Sequence, residues 1–213
     1  VGPLVLNQTS LALTEAGFDI TPSGFDWTIV TAINLTGITG NTVTLVTGDT
    51  AVTVTAGSEL IAFTAGSGGD TLILSESISP TSNAIQLGEG TDTIQLATSL
   101  NQSFLTGFTG FTNVVGSTGN DTLTFSEAQI DASTIDGGAG VDIINLSDAG
   151  TYDLAALTGI TNVETFAGTS SGSYELLGTT GDDTFIGGAG ADRFLGLAGA
   201  DQITVGGGAD VIA

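Results

Sequence analysis

Between Gly178 and Ala213 the chain repeats itself every nine residues, as GTTGDDTFI, GGAGADRFL, GLAGADQIT and VGGGADVIA. Each unit has glycine at its fourth place, aspartate at its sixth and a large apolar residue at its eighth. Glycine reaches backbone angles that other residues avoid, so the first six residues read as a tight turn and the last three as a short strand. Stacking such units brings carboxylates and outward-pointing carbonyl oxygens together. An all-oxygen environment of that kind suits a hard cation such as calcium, which takes roughly six to eight oxygen ligands.

At these residues the chain resembles the RTX (repeats-in-toxin, haemolysin-type calcium-binding) family, whose repeat is written GGxGxDxUx with U a large apolar residue. The unit Gly187 to Leu195 matches at every place, while Thr179, Leu197 and Val205 each replace one of the first two glycines in the other units. The resemblance implies calcium ions between turns two units apart, pairing Asp183 with Asp201 and Asp192 with Asp210. Carbonyls of the first and third places, at Gly178, Thr180, Gly187, Ala189, Gly196 and Ala198, are implied to complete the shells. It further implies export through a type I system with an uncleaved C-terminal signal, which this stretch does not contain.

Twenty-three acidic residues stand against a single basic one, Arg193, and the net charge is −22. That balance excludes nucleic acid and anionic membrane surfaces as partners and asks for bound cations. With no cysteine in the chain, disulfides and thiolate sites are excluded, and with no histidine a transition-metal site is disfavoured, which points to oxygen-ligand metals. No apolar run is long enough to span a bilayer, and no Sec-type signal opens the sequence. Starting at Val1, lacking methionine and stopping at the end of a repeat, the chain reads as a piece of a longer protein.

Upstream, residues 1–47 alternate apolar with polar side chains, as in Thr42 to Thr47. They read as a strand-rich cap or first rungs, with Pro3, Gly17, Pro22 and Gly24 at turns. Trp27 is read as packing in that cap, with carbohydrate contact as the alternative. Over residues 48–177 Gly-x-Asp recurs at Asp70, Asp92, Asp121 and Asp142, separated by 22, 29 and 21 residues. Each is followed at the same offsets by apolar pairs: Leu72 and Leu74, Ile94 and Leu96, Leu123 and Phe125, Ile144 and Leu146. Rungs of about twenty-one residues, two strands and two turns each, follow from this spacing. Asp49 is a degenerate rung. Asp70 and Asp92, then Asp121 and Asp142, are expected to line one column. Residues 97–111 are an insertion whose Phe104, Phe108 and Phe111 either bulge outward as a contact patch or pack inward. Tyr174 stands where its unit should have aspartate, so that unit is expected to bind no metal.

The expected fold is therefore all-β: a right-handed parallel β-solenoid (β-helix or β-roll) with stacked calcium-binding turns, in which residues 178–213 form a tandem nonapeptide roll continuing beyond the end. Catalysis by Ser-His-Asp, Cys-His or Schiff-base chemistry is excluded by composition, and Glu76, Glu89, Glu127, Glu164 and Glu175 remain as available carboxylates. We read the chain as non-enzymatic. Two functions fit it: a calcium-dependent structural protein assembling with copies of itself on the bacterial surface, as surface-layer proteins of RTX type do, or the calcium-folded module of a secreted adhesin or effector. Cell-surface polysaccharide is a further expected partner.

Overall fold

The computed structural model describes residues 10–12, 19–20, 32–34, 43–46, 49–58, 60–78, 84–105 and 107–213. Pro3, Gly17, Pro22, Gly24 and Trp27 lie outside the described residues. In chain order the strands are β1 (Ser10–Ala12), β2 (Asp19–Ile20), β3 (Ala32–Asn34), β4 (Val43–Val46), β5 (Thr53–Ala56), β6 (Leu60–Thr64), β7 (Thr71–Leu74), β8 (Ile85–Gln86), β9 (Thr93–Leu96), β10 (Asn101–Ser103), β11 (Phe108–Thr109), β12 (Asn113–Val115) and β13 (Thr122–Phe125). After the short helix α1 (Glu127–Ala132) follow β14 (Thr134–Asp136), β15 (Ile143–Leu146), β16 (Thr151–Asp153), β17 (Ile160–Thr161), β18 (Thr165–Gly168), β19 (Glu175–Leu177), β20 (Thr184–Ile186), β21 (Arg193–Leu195), β22 (Gln202–Thr204) and β23 (Val211–Ile212). Two compact units result, one from residues 1–98 and 106–115, the other from 99–105 and 116–213. Both are stacks of parallel β-rungs, the all-β solenoid expected.

In the first unit β1, β3, β5, β7, β9 and β12 pair in that order as one parallel sheet. A second parallel sheet runs β2, β4, β6, β8, β11. The register places Val54, Leu72, Ile94 and Val114 over one another, each buried to within 1 %. Because side chains alternate across a strand, a one-residue slip would send this whole column to solvent, which is why the repeated offsets specify the pairing. Phe63, Ile85 and Phe108 line the inner side of the other sheet. Burying each such side chain stabilises the stack by about 1.5–3 kcal/mol.

The second unit holds the parallel sheet β10, β13, β15, β18, β20, β22 and the parallel sheet β16, β19, β21, β23, with β14 paired to β17. Leu123, Ile144, Phe166 and Phe185 form its apolar column. Phe104 stacks on Phe125 with ring centroids 4.8 Å apart. Phe108 and Phe111 are buried in the first unit, so the insertion presents no aromatic contact patch: all three phenylalanines pack inward. Helix α1 is closed at its start by a capping box between Ser126 and Gln129, and its buried Ile130 ties it down.

Candidate metal centre

Each turn aspartate stands one residue before a strand, and in every turn but that of Asp183, where Oδ1 accepts from Thr179 Oγ1, its Oδ1 ties that rung to the previous one. In the first unit Val52 N–H donates to Asp70 Oδ1 at 2.8 Å and Asp70 N–H to Asp92 Oδ1 at 2.7 Å. In the second unit Leu100 N–H donates to Asp121, Asp121 N–H to Asp142, and Asp142 N–H to Glu164 Oε2, at 2.6, 2.7 and 2.7 Å. Nearer the C-terminus the donors are Asp183 to Asp201 at 3.0 Å, Tyr174 to Asp192 at 2.8 Å and Asp192 to Asp210 at 2.9 Å. An N–H to a carboxylate is a charge-assisted bond, stronger than the neutral bonds of an ordinary sheet. These contacts make ladders of carboxylates, each one rung apart.

What the second oxygen does differs from turn to turn. Ser117, Thr179 and Gly188 donate their N–H to Oδ2 of Asp121, Asp183 and Asp192, at 2.7, 2.7 and 2.9 Å. For Asp70, Asp92 and Asp142 Oδ2 is buried and has no partner. Burial pushes the Asp70 carboxyl up to about 6, against the lowering effect of the Val52 N–H, with Asp92 adding to the rise. Asp92 and Asp142 are also raised, chiefly by burial. A buried carboxylate oxygen facing no donor costs free energy unless a proton or cation meets it.

The first-place glycines explain how a cation is approached. A Cβ at Gly178 would stand 2.6 Å from both Asp183 Oδ2 and Gly196 O, and one at Gly187 would stand 2.6 Å from Asp192 Oδ2 and collide with Val205 O. A Cβ at Gly196 would strike the Asp201 carboxylate. Carboxylate and next-rung carbonyl thus meet over a bare Cα, a donor set of hard oxygens that fits calcium. The third-place residues Thr180, Ala189 and Ala198 are on the exposed rim of their turns. Among the described residues no three acidic side chains converge on one point, so main-chain oxygens must supply part of any shell. The only basic side chain, Arg193, is engaged across the sheet with Glu175 and does not neutralise the ladders.

Several sequence expectations are corrected. Asp70 with Asp92 and Asp121 with Asp142 do not share one column: each pair belongs to its own sheet, because two strand sets rather than one carry the turns. In the turns of Asp70 and Asp92 the first place is filled by buried Ala65 and Leu87, and in that of Asp210 by Val205, so side chains stand where the turns with a first-place glycine leave room. Asp49 is exposed, and Val52 takes the ladder place of its rung. Sequence reasoning missed Glu164, which occupies an aspartate place because Ile143 pairs with Thr165. Its only signal was a distance of 22 residues from Asp142, one rung.

Tyr174 lies in register with Asp192 and Asp210. Its hydroxyl accepts from Thr169 N–H at 3.1 Å and Ser170 N–H at 2.9 Å and donates to Leu146 O at 2.8 Å. The phenol thus closes the turn with its own atoms.

Compared with known proteins, the chain matches the RTX calcium-binding nonapeptide repeat in four copies, over residues 106–124, 130–148 and 177–212. RTX repeats bind Ca2+. No curated protein and no solved structure matches the chain. Among the described residues no helix is long and apolar enough to cross a membrane.

Proposed function

We propose that this chain, which carries RTX calcium-binding nonapeptide repeats, is a calcium-dependent structural protein that assembles with copies of itself on the bacterial surface. RTX repeats are typical of secreted bacterial proteins. The observation that carries the reading is the use of the turns: carboxylate ladders run through the rungs of both units, so the acidic residues serve the stack itself. Asp70, Asp92, Asp121, Asp142, Asp183, Asp192, Asp201 and Asp210 supply the carboxylates, and the carbonyls of Gly178, Gly187 and Gly196 and of Thr180, Ala189 and Ala198 complete the shells. Bound calcium supplies positive charge between turns that otherwise repel. The chain's own residues hold the ion, exclude water from the carboxylates and lock adjacent rungs, so binding free energy becomes folding free energy.

Electron microscopy of the purified protein with calcium and with excess chelator tests the assembly role. Ordered arrays or fibres that form with calcium and dissolve with chelator are expected; monomeric particles under both conditions would refute it. The same turns serve a second reading, the calcium-folded module of a type I secreted adhesin or effector, and calcium-dependent folding without assembly would favour it.

A further inference from the structure

We propose that Asp142, Glu164 and the main-chain carbonyl of Asn162 form a further calcium site, in which a glutamate and a left-handed asparagine corner replace the glycine-aspartate turn. The proposal rests on the calcium reading above and extends it to residues 162–164, which lie outside the matched repeats.

Register places the partners. Asp136 pairs with Thr161 and Ile143 with Thr165, so Asn162 stands opposite Gly137 and Glu164 opposite Asp142. Gly137 and Asp142 are five residues apart, Asn162 and Glu164 only two, so the second corner is too short for a nonapeptide turn. Asn162 makes that corner with φ of 54°, a conformation asparagine tolerates better than most residues. The extra methylene of glutamate then carries the carboxylate to Asp142 N–H, which it accepts through Oε2 at 2.7 Å, and Oε1 is left for another contact.

Asp142 Oδ2 is the oxygen in need of a partner: the residue is 1 % exposed and this atom makes no hydrogen bond. In the turn of Asp121 the equivalent oxygen is met by Ser117 N–H. Here Gly138, at φ of 93°, gives its N–H to Asp136 Oδ1 instead, at 3.0 Å. The same Asp136 oxygen holds the Asn162 side chain at 2.7 Å, which fixes the corner and keeps that oxygen occupied. A Cβ on Gly137 would stand 2.9 Å from Asp142 Oδ2 and collide with Asn162 O, so the two oxygens border one space left open by glycine. Two carboxylates and a carbonyl, with the exposed side of Glu164 admitting water, form a set that calcium's flexible shell accepts more readily than the strict octahedron of magnesium.

The test measures calcium bound per folded chain by equilibrium dialysis, on the full chain and on its Glu164→Gln variant, which keeps an acceptor for Asp142 N–H but removes the charge. The variant is expected to lose one bound ion per chain; an unchanged count overturns the site. Should Glu164→Gln fail to fold, calcium anomalous scattering from a crystal of the unaltered chain decides. A peak between Gly137 and Asn162 supports the site, and peaks at other turns with none here overturn it. A chain that binds no calcium anywhere overturns the broader reading and this site with it.

Discussion

Leu197 occupies the second place of its unit with φ of 69°, where other turns use glycine such as Gly206 at φ of 81°. A left-handed backbone costs a leucine about 1–2 kcal/mol, and this side chain is 60 % exposed, so little packing offsets the cost. Leu197→Gly is therefore expected to stabilise the calcium-loaded chain by about 1 kcal/mol, less the entropy that glycine loses on folding, read as a higher urea midpoint. Asp70 allows a prediction about pH. Its folded value is raised from 3.8 to about 6, so the folded chain holds this proton more tightly than the unfolded chain. The stability it contributes is present below the ordinary carboxylate range and lost as pH rises through about 6. In chelator, the stability difference between the natural chain and Asp70→Asn should shift against the natural chain between about pH 4 and 7; a difference that stays flat would contradict a buried, unpartnered carboxylate.

At the scale of the element, the rung carrying Tyr174 contrasts with its neighbours. Its ring packs so closely that a Cβ on Gly168 would stand 2.5 Å from the aromatic edge, and its hydroxyl satisfies two turn amides and Leu146 O. Tyr174→Phe leaves those amides without the hydroxyl in a part-buried turn, at a cost of about 1 kcal/mol whether or not calcium is present. An aspartate turn should behave differently, with Asp192→Ala weakening calcium binding as well as stability. Comparing the two variants by calorimetry with and without chelator separates the effects. Packing elements carry a different sensitivity: Phe104→Ala removes a ring stacked on Phe125 and should cost about 3–5 kcal/mol at any calcium level.

For the whole molecule the dominant quantity is the net charge of −22, with one basic residue to oppose it. Removing calcium leaves ladders of like charge held by main-chain N–H bonds to the carboxylates and by the apolar columns. The tandem turns of residues 178–213 have short strands, and Val211 and Ile212 of the last one are exposed, so they bury little apolar area per rung. The rungs around β7 and β9 bury two side chains on each four-residue strand. Hydrogen exchange read by mass spectrometry during calcium withdrawal should therefore show protection lost first in residues 178–213 and last around Leu72 and Ile94. Equal loss throughout would mean that calcium, and not apolar burial, sets the stability of every rung.

The period of the turns and the offsets of Leu72, Leu74, Ile144 and Leu146 were enough to derive parallel stacked rungs, because turn chemistry and side-chain alternation are local properties that each repeat states again. The neighbouring of Asp183 with Asp201 and of Asp192 with Asp210 was implied by the resemblance to the RTX repeat, and the ladder contacts agree with it. Which sheet each carboxylate joins was not legible, since the insertion at residues 97–111 changes the strand set without altering any motif. Nor was Glu164, whose place depends on a shortened corner at Asn162, or Tyr174, whose hydroxyl closes its turn only once Leu146 lies beneath it. Those assignments come from contacts 18 to 28 residues apart in the chain, and only the folded stack sets such distances.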